Sequence, residues 1–255
     1  MKKMIPMPST IGHCLDALGY LPLEINRIIH DYSNAERWVK DTLGDRFLGA
    51  ELLTQAWGDV ISGIPSFPDL TAVDMRLIEQ GGRDGNVILV CIPGMILNRD
   101  LTIMNLKAHL WEMANSHYPK EVFYSWGWYD DEPFATCPIR SGWYLIRTDV
   151  PAQTRNESYT EQEYIIDRFK LMGWKTLEIG PAVFGMVLFN LQTGKNTIFN
   201  VTDSNVAFCE EMTTGRLRVR VSFGLDGIHI DDGSDGGRDY YLGRGLLRII
   251  AGAVE

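Results

Sequence analysis

The sequence predicts an α+β protein, with a mainly helical N-terminal half and a C-terminal half in which helices pack on a mixed or antiparallel sheet. Three observations favour this class. Before about residue 117, most apolar residues recur at helical spacing. One β-branched run in that half, at 87–92, is typical of a strand buried on both faces. The clearest alternating stretch of the second half predicts a β-hairpin over 216–232.

The change of pattern near residue 117 suggests two parts. The first is a helical subdomain over 1–117 that includes the strand at 87–92, and the second is an α+β domain over 118–255. Linker composition does not mark the boundary. We therefore favour one α+β domain with a helical N-terminal subdomain, and leave the boundary open.

Apolar stripes predict five helices in the first half. We expect a short helix capped by Ser9 or Thr10, a stripe from 25 to 43 that ends before Gly44, and a third helix that stops near Gly58. The other two have their apolar positions at Val73, Leu77 and Ile78, and at Ile103, Leu106, Leu110 and Met113.

Two helices of the second half have terminal signals. A capping box of Ser158 and Glu161 begins the first, which ends near Gly173 and turns Tyr164 inward. An apolar run over 182–191, ending at a glycine, favours a buried helix, with a buried strand as the alternative. The remaining predictions are strands at 122–126, 143–147 and 198–201, and a closing helix at 242–254.

The hairpin is predicted from strict alternation over residues 216–225, followed by Asp226-Gly227. This dipeptide favours a two-residue turn in which both central residues need positive φ. Closing the hairpin there pairs Leu225 with Ile228 and Phe223 with Ile230. Apolar side chains then share one face of the sheet and polar side chains the other.

The polar face of the hairpin carries the first group of candidate site residues. Arg218 and Arg220 alternate along one strand and could bind an anion. A possible divalent cation is the only cofactor that we predict, with four candidate ligands. These are His229, Asp231, Asp232 and Asp235. Cross-strand ion pairs that need no ligand are the simpler interpretation of this face.

An aromatic block with acids inside it, over 118–149, supplies the second group. Rings at this density most often form a core, and a groove for a sugar, base or peptide is the alternative. The candidate binding residues are Trp126, Trp128, Tyr129, Asp130, Asp131 and Trp143.

Composition narrows the possible partners and the compartment. The formal net charge of −9 disfavours non-specific binding to nucleic acid or to an anionic membrane. Four scattered cysteines without a zinc-finger spacing indicate reduced thiols and a cytoplasmic protein. No signal peptide or membrane span is predicted.

The sequence contains no nucleotide-binding loop, zinc-protease motif or nucleophile elbow. We therefore expect a cytoplasmic binding or interaction protein, for a protein or small-molecule ligand, that acts through an acidic and aromatic-rich surface. The alternative is a divalent-metal-dependent hydrolase of phosphoesters. In that enzyme the His/Asp cluster at 229–235 would hold the metal, and Arg218 or Arg220 would neutralise the phosphate.

Overall fold

The computed structural model describes residues 35–113, 122–124, 127–195, 198–201, 205–234 and 242–250. Within these ranges seven helices and three sheets confirm the α+β class. The predicted helix capped by Ser9 or Thr10 and the first part of the 25–43 stripe lie outside them. None of the described helices is both long and apolar enough to cross a membrane.

The helices are numbered in chain order. They are α1 (Ala35–Leu43), α2 (Ala50–Trp57), α3 (Ala72–Asp84), α4 (Ile103–Met113), α5 (Pro133–Thr136), α6 (Tyr159–Lys170) and α7 (Ile179–Thr193). Predicted helices in the first half match α1 to α4 wherever the residues are described. Thr102 caps α4, because its Oγ1 accepts a hydrogen bond from the Asn105 amide at 2.9 Å.

A five-stranded mixed sheet has the order β1-β3-β6-β12-β7. Its strands are β1 (Phe47–Leu48), β3 (Val87–Ile92), β6 (Gly142–Arg147), β7 (Lys175–Thr176) and β12 (Leu246–Ile250). Every residue of β3 is buried, as the continuous apolar run predicts. Among the described strands of this sheet, only β1 and β3 pair in parallel.

The four-stranded sheet has the order β10-β9-β8-β11. Its strands are β8 (Val206–Met212), β9 (Arg218–Gly224), β10 (Gly227–Gly233) and β11 (Leu242–Arg244). β8, β9 and β10 are antiparallel neighbours, and β11 is parallel to β8. A small third sheet joins β2 (Ile61–Ser62), β4 (Met95–Ile96) and β5 (Arg99–Asp100).

Helix α7 lies at the centre of the core. All of its residues from 179 to 189 are buried, and it contacts strands of both larger sheets. Gly185 permits close packing on the five-stranded sheet, since a Cβ there would lie 3.0 Å from Ile88 Cδ1. Gly194 ends the helix in the left-handed conformation, at φ +64°. The helical interpretation of the apolar run is therefore confirmed, and the strand alternative is wrong.

The capping box at the start of α6 is present in both directions. The Ser158 amide donates to Glu161 Oε2 at 2.9 Å, and the Glu161 amide donates to Ser158 Oγ at 3.4 Å. The buried side of the helix is formed by Tyr159, Gln162 and Ile166. Tyr164 is 77% exposed, so its predicted inward orientation is wrong. Apolar residues alone did not identify the buried side, because a buried glutamine belongs to it.

The hairpin of β9 and β10 exists, but its register differs from the prediction by two residues. Phe223 pairs with Ile228, and the turn consists of Leu225 and Asp226. A two-residue shift keeps every side chain on its face, so the alternation of the sequence cannot distinguish the two registers. Leu225 is 96% exposed at the tip, and His229 Nε2 lies 2.6 Å from Asp226 Oδ1.

The closing helix predicted over 242–254 is wrong for the described residues 242–250, which form β11 and β12. Two glycines explain the difference, because each permits an approach that a side chain would block. A Cβ on Gly243 would lie 2.6 Å from Thr154 Oγ1, and one on Gly245 would lie 2.6 Å from Leu177 Cδ2. The chain thus passes from the edge of one sheet to an inner strand of the other.

Strands from both sides of residue 117 share one sheet, since β3 pairs with β6 and β6 pairs with β12. A buried ion pair also joins the two parts. Arg248 Nε lies 2.5 Å from Asp74 Oδ1, and Arg248 Nη1 donates to the Met172 carbonyl at 2.8 Å. The Asp74 side chain is 1% exposed. The boundary near residue 117 stays a prediction.

Candidate functional site

A polar cavity of about 580 Å³ lies among α6, β7, the N-terminus of α7, the β8–β9 hairpin and β11. We call it the Arg244 cavity. Its lining residues are Tyr159, Glu163, Lys170, Lys175, Thr176, Glu178, Glu210, Arg218 and Arg244. A cavity of this size accommodates a small molecule.

Arg244 is the most unusual residue of this cavity, because its large charged side chain is only 1% exposed. Its Nη1 donates to Thr176 Oγ1 at 2.9 Å, and its Nη2 donates to the Tyr159 carbonyl at 3.0 Å. Glu163 Oε2 is 3.5 Å from Nη2, and Glu163 also pairs with Lys170. Among the described residues, the Nε–H of Arg244 has no hydrogen-bond partner.

Two arginines lie over the ring of Tyr159. The guanidinium carbon of Arg244 is 3.4 Å from the ring centroid and that of Arg218 is 4.0 Å away. Arg218 Nη1 also donates to the Glu210 carbonyl at 2.7 Å. Burial raises the pKa of the Tyr159 phenol, although both arginines act in the opposite direction. The ring therefore stays neutral and holds two cations by cation–π contact.

Burial lowers the pKa of the Arg244 guanidinium. This direction means that its partners do not fully offset the cost of removing the charge from water. Glu163, the nearby carboxylate, is half exposed, and its charge is shared with Lys170. The cavity thus contains a buried positive charge that is under-compensated.

Carboxylates form another part of the wall. Glu178 precedes the first residue of α7, and Glu210 lies on β8. Burial raises the pKa of the Glu178 carboxyl, and repulsion from Glu210 raises it further. The wall therefore has a basic part at Arg218 and Arg244 and an acidic part at Glu178 and Glu210.

The structure places one predicted residue, Arg218, in the Arg244 cavity. Arg220 pairs with Asp231 in the hairpin register. His229 stacks on Tyr124, with ring centroids 4.5 Å apart, and contacts Asp226.

The aromatic block is largely part of the core. Trp143 and Tyr129 are each 1% exposed, and Trp143 Nε1 donates to the Ser66 carbonyl at 2.9 Å. Trp128 is half-buried and donates to the Ile230 carbonyl at 2.8 Å. A ligand at the surface cannot reach the two buried rings, so they do not line an exposed groove.

The acidic residues of that block stay candidate binding residues. Asp130 forms an ion pair with Lys107 at 2.8 Å, and Asp131 is exposed. Trp126 lies outside the described residues.

Asp235, one of the four predicted metal ligands, also lies outside the described residues. His229 and Asp231 share one face of β10, and the alternation of the strand turns Asp232 to the other. Within the ranges that the structure covers, no three His, Cys, Asp or Glu side chains form a group that could hold a metal ion. The four-residue metal site stays a prediction.

That prediction has a direct test in thermal unfolding. If the His/Asp cluster binds a divalent cation, Mg²⁺, Mn²⁺ or Ca²⁺ will raise the Tm above its value in EDTA, because a ligand of the folded state stabilises by mass action. Replacing His229 with alanine should remove the increase. A Tm that none of the three ions changes would exclude the site.

Of the nine lining residues the sequence predicted only Arg218, and those it missed include Tyr159, Lys175, Glu178 and Arg244. Arg244 was the detectable residue, because it is a charged side chain between two glycines in an otherwise apolar segment. Such a segment tends to be buried, and a buried arginine needs a partner. The other three become neighbours only when α6, β7 and α7 meet.

Compared with protein-family models, with curated proteins and with solved structures, the chain shows no match.

Proposed function

We propose that this protein binds a small molecule with an anionic group, such as a phosphate or a carboxylate, in the Arg244 cavity. The observation that carries the proposal is the buried guanidinium of Arg244, stacked on Tyr159 and lining a polar cavity. A binding protein is also the functional class that we expect from the sequence. The binding site that we propose is the Arg244 cavity, whereas the sequence favoured the aromatic block.

Electrostatics favours an anion in this cavity. The cost of burying the Arg244 cation is only partly offset by its protein partners, and a bound anion would lower that cost. Arg218 and Lys175 line the same space and add positive charge within reach of the ligand. Arginine is suited to phosphate and carboxylate groups because its donors form a planar fork.

A cytoplasmic setting is part of the proposal. Among the described residues, Cys91, Cys137 and Cys209 are free thiols. Burial raises the pKa of Cys91 to about 12 and that of Cys209 well above its ordinary value. Both thiols are therefore protonated and unreactive, as suits a reducing compartment.

Thermal unfolding with simple anions tests the binding proposal. We expect phosphate, sulfate or succinate to raise the Tm above that in chloride at equal ionic strength, with saturation. At a hundred times its Kd, an anion adds about 2.7 kcal/mol to the free energy of unfolding, or roughly 5–10 °C in Tm for a chain of this size.

Two variants with the same change of charge locate the effect. Arg218→Gln removes a cation from the cavity wall and should reduce the anion-dependent shift by half or more. Lys40→Gln removes a cation that lies on α1, outside the cavity, and should leave the shift unchanged. If none of the three anions raises the Tm above chloride, the protein does not bind an anion in this cavity.

A further inference from the structure

Resting on the proposed function, we infer that the ligand of the Arg244 cavity is zwitterionic, with an ammonium group beside its anion. The two parts of the wall motivate this inference. Arg218 and Arg244 face the same space as Glu178 and Glu210. A ligand that carried only negative charge would be attracted by the first pair and repelled by the second.

The charged side chains of the wall already contact one another in part. Lys170 pairs with Asp167 at 3.0 Å and with Glu163 at 3.3 Å, and Glu163 Oε2 also lies 3.5 Å from Arg244 Nη2. The same space is lined by Lys175, Arg218, Glu178 and Glu210. The cavity thus presents both cations and carboxylates to a ligand.

The N-terminus of α7 provides an independent reason to place the anion at the arginines. A helix N-terminus attracts anions through its free amides. Here the first amide is already occupied, because Ile179 N lies 3.1 and 3.0 Å from the two carboxylate oxygens of Glu211. Glu211 therefore already binds this end of the helix, and Glu178 is not needed there as a cap. An anionic group of the ligand is better placed at the arginines.

Glu178 and Glu210 line the same cavity. Burial and, after it, repulsion from Glu210 raise the pKa of the Glu178 carboxyl, and Lys175 and Arg140 offset part of that cost. The remaining cost falls when a further cation lies beside the carboxylates. An ammonium group is compact and has three donors, so it suits this acidic part of the wall. An amino acid or an aminated phosphate monoester has this chemistry.

Matched probe pairs test the inference by calorimetry and thermal shift. Phosphoethanolamine differs from inorganic phosphate by an aminoethyl group, and aspartate differs from succinate by one ammonium. We expect each aminated probe to bind with a Kd about tenfold lower than that of its partner, as one charge-assisted hydrogen bond provides. Glu178→Gln should abolish this preference and keep binding of phosphate. Asp59→Asn, an exposed carboxylate outside the cavity, should keep both.

The outcomes separate the two proposals. If phosphate or succinate binds and amination gives no gain, the ligand is a plain anion and the zwitterion inference is wrong. If amination helps equally in Glu178→Gln and in Glu210→Gln, the acidic wall is not the ammonium site, and the inference is likewise wrong. If none of the four probes binds, the anion-binding function itself fails, and the inference fails with it.

Discussion

Replacing Asp74 with asparagine is expected to lower the free energy of unfolding by about 3 kcal/mol. Asp74 is almost fully buried and pairs with Arg248 Nε at 2.5 Å. Removing one partner of a buried pair costs about 3–5 kcal/mol, because the other charge is left uncompensated. We expect the lower end, since the Arg248 side chain is 16% exposed and retains the Met172 carbonyl as a partner.

Asparagine is chosen because Asp74 has a second role. Its Oδ2 accepts a hydrogen bond from the Thr71 amide at 2.8 Å in the capping box of α3. An asparagine side chain has an oxygen that can keep this bond, so the measured loss reports mainly the missing charge. Alanine would add the loss of the cap, about 1 kcal/mol.

Urea denaturation of three variants measures the effect. Asp69→Asn, an exposed carboxylate five residues earlier, should change the free energy of unfolding by less than about 0.5 kcal/mol. The double variant Asp74→Asn with Arg248→Met removes both charges and should recover part of the loss. A loss below about 1 kcal/mol in Asp74→Asn alone would show that the ion pair does not join α3 to β12 energetically.

The elements that could be predicted from sequence are those with local signals. The capping box that marks the start of α6 spans only four residues, from Ser158 to Glu161. The glycine at 194 marks the end of α7. The continuous apolar runs of β3 and α7 need no partner to be recognised, because almost every residue is buried. In these segments local preference and tertiary packing agree.

The elements that could not be predicted depend on distant contacts. Helical spacing and two short strands fit 242–250 about equally, and the choice is made by Thr154 and Leu177, which approach the two glycines. The hairpin register is a similar case. Both registers satisfy the alternation, so only the positions of Leu225 and Asp226 in the turn distinguish them.

The candidate site likewise contains a residue that a local pattern identifies and others that depend on distant contacts. Arg218 was recognised because it belongs to a strand with clear alternation. Apart from Glu210, its neighbours in the cavity come from segments that are 26 to 59 residues away in sequence, such as those of Arg244 and Tyr159. The aromatic block attracted attention by its density, but packing places Tyr129 and Trp143 in the core. Ring density indicates burial more reliably than binding.

Glu211 is expected to make the stability of the protein depend on pH near neutrality. Burial raises the pKa of this carboxyl to about 7, opposed by the hydrogen bond from the Ile179 amide and helped by repulsion from Glu178 and Glu210. In the unfolded chain the same group titrates near its ordinary value of about 4.5. Between these two values the folded state holds a proton that the unfolded state has lost.

The direction of the effect follows from this difference in bound protons. Stability from the raised pKa is fully present below pH 4.5 and is lost as the pH rises to about 7, because the folded state binds more protons there. The total is on the order of 3 kcal/mol, from about 1.4 kcal/mol for each unit of pKa shift. Above pH 7 this contribution should no longer change.

Glu211→Gln isolates the group, because glutamine keeps an oxygen for the Ile179 amide and does not titrate. Urea denaturation between pH 5 and 8 should show the variant gaining stability relative to the natural chain as the pH rises, by up to about 3 kcal/mol. Asp59→Asn removes the same charge from an exposed position and controls for the change in net charge. If the difference between Glu211→Gln and the natural chain is constant from pH 5 to 8, Glu211 is already ionised in the folded protein at pH 5. Its carboxylate then serves as a permanent cap of α7, and the positive end of the helix outweighs burial.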